Sequence, residues 1–76
     1  MKSIKTLLKE NNLKKENDYY ELILDHFNRG NHIKCSNLFQ DLKRSERVYF
    51  LCIYLKESYQ LYIPIIKFFI KELVQN

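Results

Sequence analysis

Few residues of this chain have types and spacings suited to chemistry. Glu21 and Asp25 stand four apart, so on a helix their carboxylates share one face, as a general acid–base pair requires. Opposite an apolar stripe the same pair reads as solvated surface. His26, His32 and Cys35 are zinc-ligand types, and Asp25 would have to serve as the fourth ligand. Their spacing follows no finger pattern. Cys35 and Cys52 have no C-x-x-C spacing and are expected as buried free thiols on apolar helix faces, unpaired in a reducing compartment. A single glycine, Gly30, excludes a glycine-rich phosphate loop. With no nucleophile set beside a base, the expectation is a protein that is not an enzyme and uses no metal or cofactor.

Charge is segmented. Residues 1–15 sum to +4, 16–25 to −4, and 29–47 to +3. The first block holds Lys2, Lys5, Lys9, Lys14 and Lys15, and is expected to lie against the acidic face made by Glu16, Asp18, Glu21 and Asp25. Exposed pairs of that kind contribute only about 0–1 kcal/mol each. Lys43, Arg44 and Arg47 bracket a helix start, a physically sound anion site. Together these cations make a nucleic-acid-binding module the alternative function.

Gly30 between two short helices invites comparison with the helix-turn-helix. That motif wants a small residue four positions earlier and a buried apolar residue six later, where this chain has His26 and Ser36. The stretch from Tyr19 to Leu42 more nearly resembles a tetratricopeptide-type hairpin, with Tyr19, Leu22, Gly30, Cys35 and Phe39 at its aromatic, Leu, Gly, small and aromatic positions. Ile23 stands where that motif has a small residue, and no second copy follows. The resemblance implies an antiparallel helix pair packed through Cys35 and Phe39.

The elements that would position these residues are helical. Tyr19, Tyr20, Ile23, Leu24 and Phe27 recur at i, i+3/4, i+7, with Asp18 and Glu21 at capping-box spacing and Gly30 as the C′ stop. Asn31 is expected to cap a second helix with face Cys35, Leu38, Phe39 and Leu42, and Ser45 a third running from Glu46 to about Ser58. Pro64 suits the first turn of a last helix. Ile4, Leu7 and Leu8 make the apolar side of a basic N-terminal helix. The fold expected is all-α: a single domain over residues 1–76, a small bundle of four to five short antiparallel helices, with 1–15 loosely packed.

On a regular helical wheel Val48, Leu51, Cys52, Leu55 and Tyr59 form one stripe, with Tyr49 and Ile53 on one flank and Phe50 and Tyr54 on the other. A helix apolar nearly all round must be covered. A chain of 76 residues buries only about 60% of its unfolded surface and has few helices to do so. Either this is the central helix of a five-helix domain, or its surplus apolar surface forms an interface built on Tyr49, Phe50, Ile53, Tyr54, Tyr59 and Tyr62, with a protein partner or a second copy in a homo-oligomer; the second is the functional expectation. An abundance of Lys, Asn, Ile, Tyr and Phe, with no Ala, marks an AT-rich gene. Phages and mobile elements use such genes, so an accessory inhibitor or adaptor fits. The apolar run Leu61 to Ile70 contains Lys67 and is half the roughly 20 residues a membrane span needs. A soluble, cytoplasmic protein without membrane partners is expected.

Overall fold

The computed structural model describes residues 2–59 and 63–74, with the side chains of all of these except Ser58 and Tyr59. The elements are α1 (Ile4–Glu10), α2 (Glu16–Asn28), α3 (His32–Asp41), α4 (Arg44–Tyr49), a π-helical segment (Phe50–Tyr54), α5 (Leu55–Tyr59) and α6 (Ile63–Val74). α4, the π segment and α5 run on as one helix, so the described residues make five rods and no strand. The all-α class read from the 3.6-residue period is found. Contacts group the chain into two units, Met1–Lys43 and Arg44–Asn76.

In the first unit the helix ends are closed mainly by backbone. Gly30 has φ +80°, and the N–H groups of Gly30 and Asn31 donate to the carbonyls of Phe27 and His26. This is the Schellman arrangement, which needs a left-handed residue at C′. α1 ends the same way: Asn12 has φ +57°, its N–H donates to Lys9, and that of Leu13 donates to Leu8. Asparagine tolerates this region better than other residues with a Cβ. Helix starts differ from the sequence reading. α2 begins at Glu16, and Asp18 is its third residue, accepting from the Lys15 N–H at 3.2 Å. Asp18 thus supplies the returning half of a capping box and is not the cap. Asn31 occupies the cap position of α3 as expected, although its side chain makes no cap bond.

α2 and α3 bury Tyr19, Tyr20, Ile23, Leu24, Cys35, Leu38, Phe39 and Leu42, the two faces expected from periodicity. Leu7 of α1 is also buried, with Ile4 and Leu8 half-buried. One polar contact orders the pair. The buried Tyr19 hydroxyl, near the start of α2, donates to the Leu38 carbonyl near the end of α3, so the helices run antiparallel. Leu38 is among the last four residues of α3, whose carbonyls lack partners within the helix. Two more of those carbonyls are also met: Phe39 accepts from Leu42 N–H and Asp41 from Lys2 N–H. Burial, aided by the nearby Asp41 charge, pushes the Tyr19 phenol well above its ordinary value.

In the second unit the Arg44–Tyr59 helix departs from the expected wheel. It starts at Arg44, which places Ser45 in the first turn and not at the cap. The Leu55 N–H donates to the Phe50 carbonyl, five residues back. In a 3.6-residue helix a pattern repeating every four residues drifts by about 40° per repeat. The wider π turn takes up that drift. Arg47, Phe50 and Leu55 are buried, with Leu51 and Tyr54 half-buried, while the pairs 44/45, 48/49, 52/53 and 56/57 are all exposed. The Phe50 ring meets the edge of Phe69 on α6 at 5.0 Å and stacks with Tyr54 at 5.9 Å. Pro64 is the second residue of α6, where its missing N–H costs no helical bond. No described helix is long and apolar enough to cross a membrane.

Two measurements test this account. Gly30→Ala meets no atom within 4 Å, so its cost is conformational, about 1–2 kcal/mol by thermal melting. Asn12→Ala also destabilises and Asn12→Gly does not. Tyr19→Phe removes the donor from the Leu38 carbonyl and lowers the unfolding free energy by about 1–3 kcal/mol in urea. The unfolded phenol ionises near 10 and the folded one higher, so above pH 10 the unfolded chain holds fewer protons. Wild-type stability therefore falls as pH rises past 10, and Tyr19→Phe makes that fall shallower.

Candidate functional site

The π turn divides the Arg44–Tyr59 helix into a covered and an open side. Val48, Tyr49 and Ile53 are 37%, 41% and 44% exposed, and Cys52 lies open between them. Exposed Arg44 and Ser45 end the face on one side, and exposed Lys56 and Glu57 on the other. Cys52, Ile53, Lys56 and Glu57 line a shallow open depression. An apolar centre with charged ends is the anatomy of an association surface, dry in the middle and polar at the rim.

The residues expected at an interface separate. Tyr49 and Ile53 lie on the open face. Phe50 is fully buried against Phe69, and half-buried Tyr54 stacks on it, because the five-residue turn carries both toward α6. Phe50 is therefore a core residue. The Tyr59 side chain and Tyr62 lie outside the described residues. Val48 and Cys52 of the expected apolar stripe are open, so the expectation of two buried thiols holds for Cys35 alone. Neither cysteine is in a disulfide. A regular 100° wheel places Val48 and Cys52 inward, and little in the sequence marks the π turn that moves them. Their four-residue spacing with Arg44 and Lys56 is the one available hint.

The basic residues separate as well. Lys5, Lys9, Lys14, Lys15, Lys43 and Arg44 are exposed. Arg47 is only 4% exposed, on the same side as Phe50 and Leu55, so it does not join Lys43 and Arg44 on the surface. The Lys2 ammonium donates to the Glu10 carboxylate at 2.9 Å, which together with the charge attraction raises its pKa. Asp25 pairs with Arg29 at 3.2 Å, one helical turn on. Tyr20 donates to the Glu16 carboxylate.

Ligand types in the first unit are also placed. His32 is exposed and stacks on Phe27 with ring centres 5.1 Å apart, His26 is half-buried, and Cys35 is wholly buried. The Asn31 amide lies 3.4 Å from His26 Nδ1. Among the described residues no three His, Cys, Asp or Glu side chains gather to hold a metal ion.

Thiol labelling reads the open face directly. A maleimide is expected to modify Cys52 in the native protein and Cys35 only after denaturation. Mass spectrometry of the native adduct should find a single label at position 52, and a label at 35 would show that the α2–α3 core opens. Comparison of the chain with protein-family models, with curated proteins and with solved structures finds no match.

Proposed function

We propose that this protein is a non-catalytic interaction factor that pairs with a second copy of itself through the open face of the Arg44–Tyr59 helix. The observation that supports this is the order of residues along that face. Turned end for end against its own copy, each row of the face meets itself: Val48 meets Cys52 and Tyr49 meets Ile53 in the middle, with Ser45 on Glu57 and Arg44 beside Lys56 at the ends. Apolar groups face each other at the centre and polar groups at both ends. A two-fold axis requires self-complementarity of this kind. Large aromatic and β-branched groups at the centre add buried area with little loss of side-chain freedom. The face is a single helix wide, which suits reversible association. AT-rich coding and small size agree with an accessory inhibitor or adaptor of a phage or mobile element.

Light-scattering mass measured against concentration tests the pairing. The mass should rise from monomer to dimer, and Ile53→Glu should give a folded monomer by circular dichroism. Arg44→Glu sets an acid beside the copy's Lys56 at each end and should strengthen the dimer, and adding Lys56→Glu to the same chain should cancel that gain. A monomer at every concentration, or no gain, ends the antiparallel reading. Duplex and single-stranded nucleic acid at about 50 mM salt provide the contrast. Retention with log K falling by about 0.9 per phosphate contact against log salt would assign the function to the exposed lysines instead.

A further inference from the structure

α6 carries a second open surface of different character. Its exposed residues are Ile63, Pro64, Lys67, Ile70, Lys71 and Val74. Ile63, Ile70 and Val74 are 60%, 46% and 73% exposed. At 3.6 residues per turn these three fall in one narrow sector along the helix. Half-buried Ile66 and Leu73 border that sector on one side. Lys67 and Lys71 border it on the other. Glu72 is the only acid of α6, and it is turned inward at 8% exposure. The outward surface of α6 is therefore an apolar seam with cations along one edge and no exposed acid.

We infer that the outward face of α6 is a docking strip for an amphipathic helix of a partner protein that carries acidic residues along one edge of its own apolar seam. The charge sets the sign of the partner. An uncompensated row of Lys67 and Lys71 repels a basic segment and favours Asp or Glu opposite. A second α6 laid antiparallel would set these lysines against each other, and a parallel one would set them against half-buried Ile66 and Leu73, so neither supplies an acid. The width of the strip selects a helix. A stripe limited to positions i, i+7 and i+11 is the narrow seam of helix-on-helix packing, whereas helices that lie in a lipid surface carry a broad apolar half. The strip shares no residue with the open face of the Arg44–Tyr59 helix, so one chain could pair with its copy and still hold a partner.

The test uses the full chain and two synthetic helical peptides with the same Leu seam, one with Glu and one with Lys at the flanking positions. Fluorescence anisotropy should show capture of the Glu peptide, weakening as salt rises, and no capture of the Lys peptide. Lys67→Glu with Lys71→Glu should reverse that preference. Ile70→Asp, an exposed site, should weaken capture roughly tenfold or more with helicity unchanged. Ile53→Glu abolishes self-pairing and should leave capture intact, which separates failure of this inference from failure of the pairing. Equal binding of both peptides, or of neither, overturns it. So does binding to phosphatidylserine vesicles without binding to the Glu peptide.

Discussion

A turn one residue wider than an α-turn, closed by the Leu55 N–H on the Phe50 carbonyl, governs the second unit. Fourteen consecutive residues there, 44–57, repeat their exposure every four positions, which an unbroken α-helix cannot keep on one side. The widened turn absorbs the mismatch. Without it Val48 and Cys52 would rotate inward and Phe50 would lose its place against Phe69. Such segments are uncommon and often mark functional positions, since they trade good hydrogen-bond geometry for a required side-chain direction. Here the direction gained is one-sidedness. A helix with too many apolar residues for its neighbours becomes a covered half and an open half.

The first unit meets a different constraint, the unsatisfied polar groups at the ends of short helices. α1 has 7 residues and α3 has 10, so a large share of their peptide groups lie in terminal turns. The solutions are local: left-handed residues at positions 12 and 30, a carboxylate returned to the Lys15 N–H, and the Tyr19 hydroxyl on Leu38. Because the chain has no alanine, backbones are held apart by bulky side chains, and a tyrosine is long enough to span the gap. Its ring fills the core while its oxygen completes the end of a neighbouring helix.

What the sequence made legible follows from which forces are periodic. The faces of α2 and α3, the stop at Gly30 and the proline at the head of α6 each arise from a residue type acting at a fixed helical offset. The fates of Val48, Phe50 and Cys52 do not. They depend on where a π turn falls, and that is decided by the fit of Phe50 to Phe69, a contact between residues far apart in the chain. The burial of Arg47 has the same origin. Asp18 acts at the third position of α2 and not at the cap because a carboxylate serves equally at either place, and the pattern alone does not choose. Asn12 did carry a signal, as an asparagine after a short helix, that only the geometry made clear.

The bond from the Lys2 N–H to the Asp41 carbonyl joins the beginning of the first unit to its last helical turn. It is made by backbone at both ends, so it is indifferent to side-chain identity, and only proline at position 2 would forbid it. The closures after α1 and α2 likewise ask for little more than a residue that accepts a left-handed turn. A chain whose composition is drawn toward AT-rich codons can therefore exchange many surface residues and keep its architecture. Mutational drift is held off chiefly at Tyr19 and at the few buried aromatics, where a side chain and not the main chain makes the closure.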